Sequence, residues 1–507
     1  MEYLGPVPSQ TYLYAAGGLA ALYTVSTILY NLFFHPLASY PGPLLNRATS
    51  LRYAWALATG YSAQYAHRLH EKYGSVVRLS PNHLSYVDPR AWRDVYGHRA
   101  ANGQEEHPKS PTFYRALMPG AATNIIDAGR EDHSRLRKAL AHGFSEKALR
   151  SQEGRILHFV DLLMSKLAAK AAAKEAVDLV EWFTWTTFDL ASDLVFALSF
   201  GCLEKEEDHL FVKLNNEGLA PSGILVALYY VGFRRVADLL TSGLQALARE
   251  FFAELGRLLQ NRLDEKTEKD DLFEGLIQHK DEWNLGNREL ESNAMVLVVA
   301  GSETTSTLLA GVTYLLLSNP DAMEKVKREV RGAYKSADEI SLSTIDRLPY
   351  LVACMSEALR CYPPVLNSLA REAPEGGSMI AGKFVAPGTI VEVQNWSVNH
   401  SSLHWEDPWA FKPERFLHGS AAEGGKKSMR DNMDAFNPFS TGPRNCLGRN
   451  LAYAEMRLIF ARLIYQFDLS LVNEDKDWIK KQRAFSFWEK KPLNVRLTPV
   501  VGAKLRA

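Results

Sequence analysis

The sequence predicts a mainly α protein with a smaller β-rich region, preceded by one N-terminal transmembrane helix. Three observations predict it: an uncharged apolar run near the N-terminus, long helical stretches through the body, and strand signals concentrated between Val365 and Val398. The bulk numbers agree. The chain has 507 residues, of which 46% are hydrophobic and 23% charged, near the globular average. That excludes a disordered or collagenous chain, and the dispersed apolar residues exclude a polytopic membrane protein. With 58 Lys+Arg against 58 Asp+Glu, no charge excess argues for a nucleic-acid partner. Four cysteines without a CxxC pair exclude a disulfide scaffold and argue against a structural zinc site.

After Glu2 no charged side chain occurs until Arg47. The apolar run from Leu13 to Phe34, about 22 residues, is long enough to cross a bilayer core. Tyr12, Tyr14 and Tyr30 sit near its ends, as interfacial aromatics do. A signal peptide needs a basic start and a small-residue cleavage site, and neither is evident. His35-Pro36 and then Pro41-Gly42-Pro43 stop the helix and stiffen the connector. Arg47 and Arg52 follow the span and no Lys or Arg precedes it. The positive-inside rule therefore places the body in the cytosol, and residues 1–35 are expected to be an anchor for a body of 36–507. On a cytosolic body the sequons at Asn395 and Asn399 go unused.

The body reads in order as follows. A strand-like pair lies at Val76 to Leu79 and Leu84 to Val87. Helical stretches fill about residues 130–200, including the alanine-rich Lys166 to Ala176, and another runs from about Leu244 to Leu263. The charged stretch Asp264 to Asp271 reads as an exposed loop. A long helix is expected from about Arg288 to Leu317, ending where Asn319 is a good N-cap and Pro320 a good first residue for the next helix. A further helix covers about Leu351 to Cys361 and stops at Pro363-Pro364. Strands such as Thr389 to Val393 follow, then a helical run from Asn450 to Tyr465. No internal repeat or flexible linker divides the body.

Four local patterns carry chemistry. In Phe439-Ser-Thr-Gly442-Pro-Arg444-Asn-Cys446-Leu-Gly448, a cysteine stands just before a helix, where backbone N–H groups and the helix dipole stabilise a thiolate. The glycines permit a tight turn and close approach of something flat, and such a thiolate suits an axial ligand of haem iron. Cys202, Cys354 and Cys361 lack that context. In Ala300-Gly301-Ser302-Glu303-Thr304-Thr305, small residues let a group lie against the long helix. Thr304 is placed to bond back to the Ala300 carbonyl, which would bend or widen the helix, and an acid beside an alcohol forms a proton relay. Glu357 and Arg360 share a helix face at i,i+3. In Pro413-Glu414-Arg415-Phe416, Arg415 can bring a second guanidinium to Glu357.

Together these patterns resemble the cytochrome P450 family of haem-thiolate monooxygenases: FxxGxRxCxG at 439–448, AGx[DE]T[TS] at 300–305, ExxR at 357–360 and PERF at 413–416. The likeness covers about residues 36–500. The anchor with its proline-rich hinge resembles the microsomal members, and the phrases around Tyr30 to Leu37 and Tyr40 to Pro43 resemble filamentous-fungal secondary-metabolism members. The resemblance implies haem b with Cys446 as the axial iron ligand. It implies that Arg444, Arg137 and Arg371 reach the haem propionates. His133 replaces the family's tryptophan in WxxxR, which places a histidine near a propionate. Glu303 and Thr304 match the distal acid–alcohol pair, and Glu357, Arg360 and Arg415 the structural triad. Although the length alone suggests about three domains, residues that must meet around one haem make the body a single domain.

The resemblance further implies insertion of one oxygen atom from O2, by hydroxylation or epoxidation, into a hydrophobic small molecule such as a polyketide or terpenoid intermediate. The alternatives are desaturation, oxidative coupling or rearrangement on the same fold, or a non-enzymatic haem sensor. No GxGxxG opens a βαβ unit, so no nicotinamide or flavin site is expected in the chain, and the resemblance implies electrons from NADPH through a separate membrane-bound NADPH–cytochrome reductase, with Arg135, Lys138 and Arg449 as candidate contacts. Gly377 to Lys383 has the spacing of a phosphate loop, but Phe384 stands where Ser or Thr is needed. Phe113, Met118, Ile125, Tyr229, Tyr230, Val296, Ala300, Val365 and Leu366 are the candidate substrate-pocket residues, and the apolar segment Ile224 to Phe233 is a candidate entry route through the membrane. The expected location is the endoplasmic reticulum membrane, single-pass.

Overall fold

The computed structural model describes residues 9–99, 105–117, 122–247, 249–264, 271–367, 369–417, 431–473 and 477–500; for 9, 115–117, 243–247 and 249–252 only the backbone is described. Met118 and most of the charged stretch after Asp264 lie outside the described residues.

Helix α1 (Ser9–Leu29) runs on as a wider π-helical turn to Phe34 and stops at His35, whose backbone is extended at φ −64° and ψ 143°. Pro36 enforces that conformation on the residue before it. The most apolar stretch of the span Gln10–Phe34 is 0% buried, and only its end, from Asn31, packs on the body. The second long apolar helix, α7 (Asn287–Leu317), is 67% buried and belongs to the core. The end of the anchor is buttoned to the body: Asn31 Nδ2 donates to Ala48 O at 2.9 Å, and Arg78 Nη1 donates to Asn31 O at 2.9 Å.

Ahead of α7 stand α2 (Leu51–Ala58), α3 (Arg130–Ala141), α4 (Glu153–Ala172), α5 (Leu179–Phe196) and α6 (Leu210–Tyr230). After it come α8 (Pro320–Ala333), α9 (Pro349–Cys361) and α10 (Arg449–Gln466). Helix α7 lies along α5 and against α9 and α10, and a single large hydrophobic cluster joins them. Gly311 permits the approach to α9: a Cβ there would overlap the Tyr362 ring. Pro320 opens α8 as expected, but Asn319 makes no side-chain cap. Its Nδ2 donates instead to Leu315 O at 2.7 Å, because the carbonyls of the ending helix lie within its reach.

The β-rich part is a four-stranded sheet of β1 (Val76–Ser80), β2 (His83–Tyr86), β4 (Arg371–Glu372) and β5 (Ile390–Val393), ordered β1-β2-β5-β4, and a three-stranded sheet of β3 (Ala176–Asp178), β7 (Asn494–Pro499) and β6 (Phe467–Leu471), ordered β3-β7-β6. In the first sheet β2 and β5 are parallel, with Leu84 opposite Val391, and Arg371 also faces Val391. Not all of 365–398 is strand: Asn395–Asn399 is a short helix. The phosphate-loop lookalike is an antiparallel hairpin, Ser378–Ile380 against Lys383–Val385, which presents no helix N-terminus to a phosphate.

The triad predicted around Glu357 is present and fully buried. Arg360 donates to both Glu357 oxygens at 2.8 Å, and Arg415 Nε reaches Glu357 Oε1 at 3.3 Å. A fourth member had no sequence signal: Asp431 accepts from Arg415 Nη1 at 2.7 Å on both oxygens. Two guanidiniums thus face two carboxylates, and Arg360 also donates to the carbonyls of Asn399, Pro408 and Ala410. The group fixes how the chain after β5 returns to α9, a register role rather than a net gain in stability.

Candidate active site

The cysteine loop folds as the glycines require. Gly442 has φ +73°, and a Cβ there would overlap the carbonyl oxygen of Tyr96, so only glycine fits. Residues Gly442–Arg444 form a single 3₁₀ turn, Cys446 N donates to Phe439 O at 2.9 Å, and α10 starts at Arg449. Of the four cysteines Cys446 alone is exposed. Surrounding protein nevertheless raises its thiol pKa by desolvation, opposed by the Gly448 N–H and by Arg137 and Arg449. The sulfur is thus both reachable and partly desolvated, with a backbone donor and two cations arranged to favour its thiolate.

Arg137 lies beside the cysteine loop. Its guanidinium donates to Asn445 O at 2.7 Å and to Asn445 Oδ1 at 2.5 Å, gripping the residue next to the cysteine. Arg444 Nη1 donates to Ala128 O at 2.8 Å, and Nε pairs with Glu106 at 2.5 Å. The segment from Asn124 to Ala128 in turn joins α7: Asn124 Nδ2 reaches Ser292 Oγ at 3.1 Å, and Ile125 N donates to Asn293 Oδ1 at 3.0 Å. The cysteine loop and the long helix therefore share one short segment as a common brace.

Arg371 lies 3.7 Å from the same Glu106 and over the Tyr96 ring at 5.6 Å. Lys109 bridges to Arg371 through its backbone and sits over the Tyr114 ring at 4.7 Å. The sequence offers no signal for Lys109 or Glu106, since only the folded sheet edge brings them to Arg371. The cluster is too positive for its surroundings. Desolvation, Arg371 and Arg444 hold the Lys109 pKa well below the lysine range, against Asp127 and Glu106. Desolvation, with Arg444, Lys109, Arg137 and Arg371, lowers His133 to about 3, so it is neutral. Buried Tyr114 Oη, Arg371 Nε and Trp92 Nε1 have no hydrogen-bond partner among the described residues. Excess buried cations beside idle polar groups call for an anion. The two propionates of a haem whose iron meets Cys446 fit that demand.

On α7, Thr304 Oγ1 donates to Ala300 O at 2.7 Å, as expected, but the helix stays α-helical through 300–305. The regular i−4 back-bond fits within the unbroken ladder. Glu303 does not touch Thr304: it is 0% exposed and paired with Lys490. Among the pocket candidates Ala300 is exposed, and Phe113 and Val365 are half-buried. Val296 and Leu366 are 7% and 1% exposed; both belong to the main core and offer a ligand little surface. Ile125 is likewise core. Tyr230, at the end of α6, is held against the first sheet, bonded to His83 and to Ser80 Oγ at 3.1 Å, and Tyr229 bonds Asp238. On the cysteine side Lys138 and Arg449 are exposed, while Arg135 pairs with Asp132.

The chain matches the family described as Cytochrome P450 over residues 43–496. It is 42% identical over 483 residues to cytochrome P450 monooxygenase tpeC of Talaromyces stipitatus, covering 94% of this chain and 93% of that relative. It is 39% identical to cytochrome P450 monooxygenase prhB of Penicillium brasilianum, over 94% and 96% of the two chains. It is 38% identical to the trichothecene C-15 hydroxylase of Fusarium sporotrichioides, over 96% and 97%. With a reachable cysteine in the haem-ligand loop and relatives matched along almost their whole length, the chain belongs to the cytochrome P450 family, an oxidoreductase and haem monooxygenase.

Proposed function

We propose that the chain is a membrane-anchored monooxygenase that inserts one oxygen atom from O2 into a hydrophobic intermediate of fungal secondary metabolism, a polyketide or terpenoid. The reading is carried by the exposed Cys446 beside a cationic cluster with idle buried donors. Its substrate class draws on the relatives, one of which is named as a trichothecene hydroxylase.

Bound haem supplies the O2 activation. The chain's own residues hold and aim it. Cys446 Sγ takes the iron, and the Gly448 N–H favours its thiolate. Arg444, Arg371 and Lys109 bind the propionates, with neutral His133 beside them. Arg137 acts one step back, by clamping Asn445. Exposed Ala300 leaves space on α7 for a flat group and a substrate. The Thr304 hydroxyl holds a proton at Oγ1, beside exposed Ala300, and Glu303 replenishes it.

Residues 1–35 anchor the chain in the endoplasmic reticulum membrane as a single span, and 36–507 form one cytosolic catalytic domain. Electrons come from NADPH through a separate reductase, which docks on the face exposing Lys138 and Arg449. The test is metabolite profiling of a producing host with and without the gene, followed by incubation of the missing product's precursor with labelled O2. One labelled oxygen in the product is expected. An unlabelled or merely dehydrogenated product overturns the insertion reading.

A further inference from the structure

Three tryptophans form a row behind the stretch that follows α9. Trp488, in the strand pair Arg483–Ala484 and Trp488–Glu489, is 1% exposed. Trp396, in the short helix Asn395–Asn399, is 5% exposed. Trp409, in the loop that returns to Pro413, is the exception at 58% exposed. Ring centroids lie 5.6 Å apart from Trp488 to Trp396 and 5.9 Å apart from Trp396 to Trp409, within the range of direct aromatic contact. His400 fills the outer step, 4.1 Å from the Trp396 ring and 4.3 Å from the Trp409 ring. Desolvation and then Arg360 hold its pKa well below the histidine range, so the imidazole adds no positive charge to the row.

The inner end of the row meets the candidate pocket wall. Trp488 Nε1 donates to Pro363 O at 2.9 Å and Trp396 N donates to Leu366 O at 3.1 Å. Half-buried Val365 belongs to that same stretch, which runs on to Arg371 of the cationic cluster. Tyr362 stacks on Trp488 with ring centroids 4.5 Å apart. Indole is among the side chains most readily oxidised by one electron, and it can pass that charge to a ring in contact while keeping its N–H proton. The Pro363 carbonyl, as acceptor from the Trp488 N–H, favours the positive charge. The row thus joins the interior beside the pocket to water.

We propose that Trp488, Trp396 and Trp409 form an electron relay through which the haem-loaded chain oxidises an electron-rich phenol at its surface, with an organic hydroperoxide as oxidant. The phenol stacks on the exposed Trp409 indole and does not enter the pocket. Each phenol gives one electron to Trp409 and its hydroxyl proton to water. The electron moves inward through Trp396 and Trp488 to the haem site. Two electrons and two protons cleave the O–O bond of one hydroperoxide, giving one alcohol and one water. The two phenoxyl radicals couple to a dimer. This activity goes beyond oxygen insertion and does not depend on which substrate is oxygenated.

The test uses haem-loaded, full-length enzyme, cumene hydroperoxide and a phenol tethered to polyethylene glycol, too large for the interior. Every rate is taken per CO-binding enzyme. The natural chain is expected to oxidise the tethered phenol. Trp409→Phe and Trp488→Phe each keep a ring in place but put a side chain that resists oxidation in the row, and each should drop to the haem-free background. Trp55→Phe, which replaces an indole 65% exposed outside the row, should keep the full rate. A second readout needs no phenol: with hydroperoxide alone, peptide mass spectrometry should find oxygen added to Trp409 in the natural chain and not in Trp488→Phe. No oxidation by the natural chain, or an undiminished rate in Trp409→Phe, overturns the proposal. An undiminished rate and undiminished Trp409 oxidation in Trp488→Phe overturn the inward route. If Trp488→Phe does not fold, the surface variant Trp409→Phe decides alone.

Discussion

Arg137 and Asn445, 308 positions apart, are joined by two hydrogen bonds, to the carbonyl and to the side-chain oxygen, at 2.7 and 2.5 Å. Through that grip α3 sets the backbone next to Cys446, whose sulfur is the proposed iron ligand. Charge-assisted bonds of this kind are worth about 1.5–3 kcal/mol each. Arg137→Ala is therefore expected to raise the haem dissociation rate by about tenfold or more, and to replace part of the thiolate-type Soret band of the reduced carbonyl complex. Asn445→Ala, which removes only the side-chain bond, should show a smaller effect in the same direction. An unchanged band and dissociation rate in both variants would show that the loop holds its shape without the clamp.

Lys109 makes an opposite pair of expectations for the empty and loaded protein. Without an anion, its ammonium sits among Arg371 and Arg444 at a cost, as its lowered pKa shows. Lys109→Met should thus raise the melting temperature of haem-free protein by a degree or more, while weakening haem retention by about tenfold through loss of a charged hydrogen bond. Differential scanning fluorimetry and haem transfer to apomyoglobin measure the two. Equal shifts in both forms would remove Lys109 from the propionate site.

The buried four-residue group around Glu357 is intolerant of partial removal. Glu357→Gln leaves Arg360 and Arg415 facing Asp431 alone, and breaking a buried pair costs about 3–5 kcal/mol. The variant is expected to yield little haem-bound protein. A thermal scan of the soluble fraction checks it, and a loss of only a degree or two would mean that water reaches the group.

These sites differ in how far the sequence revealed them. Contacts a few residues apart, such as Glu357 with Arg360, follow from helical spacing. The apolar span and its stop at His35 follow from length and proline chemistry, and the start of α8 from Pro320. Cys446, Arg444 and Gly442 were legible because their chemistry is packed into ten residues. Lys109, Asp431 and Lys490 were not, because each acquires its meaning from a partner brought in by strand pairing or a long return loop. Helix α7 kept its regular turn at Thr304 because a single back-bond to Ala300 needs no bulge. Val296 and Leu366 show the limit of apolar character as a pocket signal: the same side chains serve the core equally well.

Glu455 gives the body a pH dependence of its own. It is fully enclosed by α10 and its neighbours, and desolvation lifts its pKa from 4.5 to about 8, offset in part by the Thr305 hydroxyl. The folded chain therefore keeps this proton where the unfolded chain has released it. Stability contributed by the group is fully present below pH 4.5 and is lost as pH rises toward 8, with a slope of at most about 1.4 kcal/mol per pH unit. Glu455→Gln keeps the shape and a hydrogen bond to Thr305 but cannot ionise. Denaturant unfolding of the haem-loaded protein at pH 6 and pH 8 is expected to show a smaller loss of stability in the variant than in the natural chain. If both chains lose the same amount across that interval, Glu455 ionises freely in the fold and is solvated there.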